Sequence, residues 1–183
     1  MSLAEMTEHD DASRSSCLPI IAAIHRAVDQ AVVPLEAEHS SRLACKKGCA
    51  QCCVDELTVF EVEAEAIRQH FPDLLSQGTP HPAGACAFLD NRGACRVYSQ
   101  RPYVCRTQGL PLRWLDLTDD DEVVEYRDIC ELNDGEPAVE DLEPASCWTL
   151  GAVEEKLSGL QNEMTPGEMR RVPLRALFKR DDV

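Results

Sequence analysis

Four cysteines within nine residues constrain this chain more than any other feature. The segment Cys45-Lys46-Lys47-Gly48-Cys49-Ala50-Gln51-Cys52-Cys53 spaces them as C-x3-C-x2-C-C. Thiols packed this densely read as metal ligands, because soft thiolate sulfur selects zinc, copper(I) or iron–sulfur clusters. Gly48 supplies the tight turn that a ligand loop needs. Cys52 and Cys53 add a constraint of their own, since consecutive side chains point apart on most backbones. Either the pair serves two neighbouring sites, or one sulfur ligates while the other packs.

Cys86, Cys95, Cys105 and Cys130 extend the set to eight thiols. A structural zinc site takes four ligands and an iron–sulfur cluster about four cysteines. Eight thiols therefore close two zinc sites, or one cluster with sulfurs to spare. Cys17 and Cys147 lie apart, at the edges of predicted helices, and read as small buried hydrophobes. Residues 1–11 are acidic and polar, without the basic and apolar regions of a signal peptide. The longest apolar run, residues 18–24, is too short to span a bilayer. The expectation is a cytoplasmic protein with no membrane partner. In that compartment thiols stay reduced, so metal ligation outranks a disulfide framework.

The formal charge of −15 repels phosphate backbones and argues against a nucleic-acid partner. That charge is uneven. Residues 45–106 hold seven acidic and seven basic side chains, so all of the excess lies outside them. Bases such as Lys46, Lys47, Arg96, Arg101 and Arg106 among thiols would lower cysteine pKa values and offset a tetrathiolate. The five histidines show no spacing that suggests a Cys/His site, and His39 and His81 read as solvated. No Ser/His/Asp set, phosphate loop or dinucleotide fingerprint is present. Cys45, Cys49 and Cys52 alone match the spacing of radical S-adenosylmethionine enzymes, but the rest of the chain offers no β/α barrel.

Along the chain, residues 1–15 are expected to be a disordered acidic N-terminus and 16–183 a single cysteine-cluster domain. Its metal-binding core would span 45–133 and its C-terminal helical part 144–183. Ile20, Ile21, Ile24, Val28, Val32 and Leu35 keep helical spacing, and Pro34 should end or kink that helix. A capping box at Thr58 and Glu61 predicts a helix over 59–71, stopped by Pro72. Residues 72–85 read as a loop. Two hairpins are predicted, 86–89 with 94–98 and 109–117 with 122–127. An acidic linker over 133–144 leads to a helix over 145–164, and a short helix over 174–178 follows. The fold class is α+β: a small, mainly helical domain with short β-hairpins, stapled by a multi-cysteine metal site.

Four segments give the chain a family resemblance. They are the 45–53 cluster, Cys86-Ala87-Phe88-Leu89 with Gly93-Ala94-Cys95-Arg96-Val97-Tyr98, Arg101-Pro102-Tyr103-Val104-Cys105-Arg106, and Gly109-Leu110-Pro111-Leu112 with Cys130-Glu131-Leu132-Asn133. Together they resemble the YkgJ-type cysteine-cluster family, whose CxxCxxCC domain is a zinc- or iron-chelating one. One departure is the first gap of three residues, where the family name implies two, and it falls on Cys45. The resemblance implies a metal centre with Cys49, Cys52, Cys53, Cys86, Cys95 and Cys105 foremost among its ligands. It leaves the metal open between zinc and iron, an iron–sulfur cluster included. A flagellin lysine N-methylase looks similar over this domain.

Three functions stay open. The first is a metal-binding protein with all eight clustered cysteines as candidate ligands. The second is an iron–sulfur-dependent enzyme, either an oxidoreductase or a methylase-like protein-modifying one. The third is a metal carrier or adaptor whose acidic residues 116–143 meet a basic protein, although no residue identifies such a partner.

Overall fold

Helix α1, Leu3–Glu38, carries the first half of the core in the computed structural model. The structure describes the backbone of residues 3–178 and the side chains of 16–178. The disordered stretch expected over 1–15 therefore has its side chains outside the described residues, and its backbone from Leu3 onward opens α1. Cys17, Ile21, His25, Val28, Val32 and Leu35 recur three or four residues apart and are all buried. That period lays them along one stripe. Ile20 faces away and is 46% exposed. Pro34 does not end the helix, which runs on to Glu38. It lies on the exposed face, where water can satisfy the carbonyl that a proline leaves unpaired. By length and composition Ser16–Glu38 would suffice to cross a membrane, which the uninterrupted run at 18–24 understates.

The capping box expected at Thr58 is displaced by tertiary pairing. Residues Thr58–Phe60 form strand β1, which pairs antiparallel with a strand near the chain end, Arg171–Pro173. Helix α2, Glu61–His70, starts only then, and the Glu63 carboxylate reaches back to accept the Phe60 N–H at 3.4 Å. It stops before Pro72 as its sequence dictates. Pro72 then opens a short helix α3, Pro72–Gln77, within the expected loop, because proline suits a first helical position.

The two faces of α2 divide the core. Val62 and Ala66 join α1, Tyr103 on helix α4 (Tyr103–Thr107), and Leu157, Leu160 and Met164 on helix α5 (Ala152–Met164). Ala64 and Ile67 join a second cluster built from Phe88, Leu89, Val97, Val172, Leu177 and Phe178. Each fully buried Leu or Phe side chain contributes about 1.5–3 kcal/mol. Cys17 and Cys147 are buried in the manner of small apolar residues.

The second hairpin forms as expected, from β2 (Leu112–Leu117) and β3 (Val123–Asp128). The first is reduced to one bridge, Leu89 with Cys95. Its turn is closed by Asp90, whose carboxylate accepts the N–H groups of Arg92 and Ala94 at 2.8 Å each. Helix α5 begins seven residues later than its periodicity predicts. Trp148–Thr149 is drawn out as strand β4, parallel to β2, after a 3-10 turn at Pro144–Ser146. The Arg171–Pro173 strand is β5, and the 3-10 turn Leu174–Leu177 follows it. The acidic linker holds 3-10 turns at Glu131–Asn133 and Val139–Asp141. The class is α+β, mainly helical with two small sheets.

Candidate metal centre

The cysteine loop owes its shape to two turns and two glycines. Cys49 N–H donates to the Lys46 carbonyl at 2.9 Å, and Cys53 N–H to the Ala50 carbonyl at 3.0 Å. Gly48 sits within the first of them at φ +90°, a conformation costly to any residue with a Cβ. The loop packs against the 90–94 turn so closely that a Cβ on Gly93 would lie 3.0 Å from the Gly48 carbonyl oxygen.

All ten cysteines are free, and eight of them gather from separate segments around this loop. The Cys86 N–H donates to the Cys53 carbonyl at 2.8 Å, and Cys53, Cys86 and Cys95 share the second apolar cluster. Cys105, on α4, lies within electrostatic reach of Cys86, Cys95 and Cys52. On the other side, Cys45 is within reach of Cys49, Cys52 and Cys130. Among the described residues no three Cys, His, Asp or Glu side chains are yet arranged to hold one ion. The thiols are collected rather than closed, and a bound ion would have to draw them in. In donor chemistry they suit a soft or borderline metal.

Burial sets the protonation of this set. It pushes the Cys105 thiol up to about 12, aided by the neighbouring sulfurs. Cys86 and Cys95 are raised for the same first reason, against a smaller opposing pull from Arg96. The expected lowering of these thiols by nearby bases is thus overridden. The arginines have other partners: Arg96 donates to the carbonyls of Ala87 at 2.7 Å and Thr79 at 2.9 Å. Arg101 and Arg106 both hold Asp29 of α1, at 3.2 and 2.6 Å. Cys52 differs from the rest. It accepts a hydrogen bond from Cys53, which brings it down to about 6 and holds the proton on Cys53.

Two residues of the site carried no assigned role in the sequence. Gly109, at φ +94°, passes so close to Cys45 that a Cβ there would lie 2.6 Å from its sulfur. Asn133, fully buried, donates to that sulfur at 3.4 Å and to the Gly109 carbonyl at 2.7 Å. Both stand in segments that carried the family resemblance, which was the one signal available. His39, expected in solvent, is buried instead with Nε2 2.7 Å from the Ser146 carbonyl. An open cleft of about 320 Å³ runs beside Cys52 and Cys130, lined also by Gln51, Gln108, Gly109 and Glu131.

Residues 44–131 match the family model of the CxxCxxCC domain, described as a putative zinc- or iron-chelating domain. The matched span takes in all eight gathered cysteines. No curated protein and no solved structure matches the chain.

Proposed function

We propose that this chain, whose residues 44–131 match the model of the CxxCxxCC domain, is a metal-binding protein that holds zinc or iron through Cys45, Cys49, Cys52, Cys53, Cys86, Cys95, Cys105 and Cys130. The observation that carries the reading is the convergence of these free thiols from five separate stretches of chain. Zinc would supply a redox-inert cross-link, and iron or an iron–sulfur cluster would add one-electron chemistry. The residues around the thiols do the rest. Asn133 orients Cys45, and the Arg96 contacts fix the segment that presents Cys95. A reducing compartment such as the cytoplasm fits ligands of this kind.

The test is anaerobic purification followed by metal analysis and a visible spectrum on one sample. Stoichiometric zinc or iron is expected. Protein that holds neither would end the reading.

A second reading, an iron–sulfur-dependent oxidoreductase or methylase-like enzyme, draws on the cleft beside the exposed Cys52. There a substrate could approach a cluster without disturbing the core. Colourless protein with stoichiometric zinc would remove this second reading and leave the first intact.

A further inference from the structure

We infer that the eight thiols make two four-sulfur metal sites meeting at the Cys52–Cys53 peptide, a walled inner site from Cys53, Cys86, Cys95 and Cys105 and an exchangeable outer site from Cys45, Cys49, Cys52 and Cys130. This rests on the metal-binding reading above and deepens it. Three inner sulfurs belong to one body, and Cys105 on α4 lies within electrostatic reach of two of them, Cys86 and Cys95. Cys86 is hydrogen-bonded through its backbone to Cys53, and Cys95 is bridged to Leu89. Cys53, Cys86 and Cys95 all pack with Phe88 and Val97. Cys45 and Cys130 belong to another, with Cys49 and Cys52 within electrostatic reach of Cys45. Asn133 ties Cys45 to Gly109, and its own N–H donates to the Cys130 carbonyl at 2.7 Å. The cleft beside Gly109 is lined by Cys52 and Cys130.

The partition resolves the problem of adjacent cysteines. The two sulfurs lie side by side, joined by the hydrogen bond from Cys53 to Cys52, and Cys52 is within reach of both Cys45 and Cys105. Giving one sulfur to each ion keeps both from crowding one tetrahedral centre. It also separates access. Cys45 and Cys52 are exposed, whereas none of the inner four is: Cys86 is buried and Cys53, Cys95 and Cys105 are half-buried. Loading either site is ligand exchange without electron transfer. Each metal–sulfur bond forms on a thiolate, and any thiol proton displaced passes to buffer.

The experiment is zinc titration of the reduced, metal-free full chain, followed by zinc removal with a chromophoric chelator. Two zinc ions per chain are expected, released in a fast and a slow phase of equal amplitude. Cys130→Ser and Cys45→Ser should each lose one zinc and the fast phase while keeping cooperative unfolding. Cys95→Ser should lose the slow phase; should it fail to fold, cobalt(II) bound to Cys130→Ser must still show the absorption of a four-thiolate site. One zinc per chain, retained in Cys130→Ser, overturns the two-site inference and leaves the metal-binding reading standing. Loss of both ions from a folded Cys130→Ser variant also overturns it, in favour of one shared cluster. A chain that takes up no zinc and carries no iron as purified overturns the underlying reading instead.

Discussion

Asn133 holds Cys45 in place through its side-chain amide, donating to the sulfur at 3.4 Å while its Oδ1 accepts the Ala44 N–H at 2.7 Å. The same amide donates to Gly109, and the Asn133 backbone N–H donates to Cys130. One buried residue thereby joins the start of the cysteine loop to the segment that closes it, 88 residues away. Asn133→Ala would leave buried donors and acceptors without partners, at about 1–3 kcal/mol for such a group. We expect a stability loss of about 2–4 kcal/mol in urea unfolding, with reduced metal content. Unchanged stability would mean that water replaces the amide.

Gly109 tests the same contact from the opposite side. Gly109→Ala places a methyl 2.6 Å from the Cys45 sulfur and 3.2 Å from the Asn133 amide nitrogen, at a φ of +94°. Strain of this kind costs about 1–3 kcal/mol. Gly84→Ala is the control, since its φ is +98° but nothing lies within 4 Å of the added Cβ. Both variants should lose stability, and only Gly109→Ala should lose metal. Equal metal content in the two would show that Cys45 moves aside freely.

Glu63 links the helical core to the cysteine cluster. Its carboxylate is 4% exposed, accepts the Tyr103 N–H at 2.7 Å, and lies 3.3 Å from His25 Nε2. Tyr103 opens α4, which carries Cys105. Removing one partner of a buried pair strands the other, at about 3–5 kcal/mol. Glu63→Leu and His25→Leu should each destabilise by about that amount, and the double variant by less than their sum. Additive losses in a double-mutant cycle would show that His25 and Glu63 do not depend on each other.

What the sequence revealed depended on how local each decision was. The β2–β3 hairpin was legible because strand alternation and the 118–121 turn lie within one short stretch. The β1 strand was not, because its partner Arg171–Pro173 is more than a hundred residues away. Trp148–Thr149 fits a helix pattern well, but pairing with Leu112 and Arg113 decides its state. Likewise the Ser146 carbonyl, 107 residues distant, draws His39 into the core. The eight cysteines stood out by composition, yet their grouping does not follow chain order. Cys45 meets Cys130 while its near neighbour Cys53 meets Cys86 and Cys105. An asparagine in a loop reads as a turn residue, so beyond the family resemblance of its segment nothing in the chain announced that Asn133 would hold Cys45.

The raised thiols predict opposite pH behaviour for the metal-free and metal-loaded chain. Cys86, Cys95 and Cys105 are all raised, Cys105 to about 12, so without metal they are neutral thiols at pH 7. A group whose folded pKa lies above its unfolded one stabilises the fold below the unfolded value. That contribution is lost as pH rises towards the folded value. The metal-free chain should therefore lose stability between about pH 9 and pH 12. Metal binds only the thiolates, so loading expels these protons and affinity rises with pH, about tenfold per unit for each proton released. Cys52, near 6, is already largely thiolate at neutral pH and adds little to that slope. Thermal melts at pH 7.5 and 10 with and without zinc, and proton release into weak buffer during zinc uptake, measure both effects. A loaded chain that melts no higher than the metal-free one at pH 10, or zinc uptake without proton release, would show that these buried thiols are not ligands.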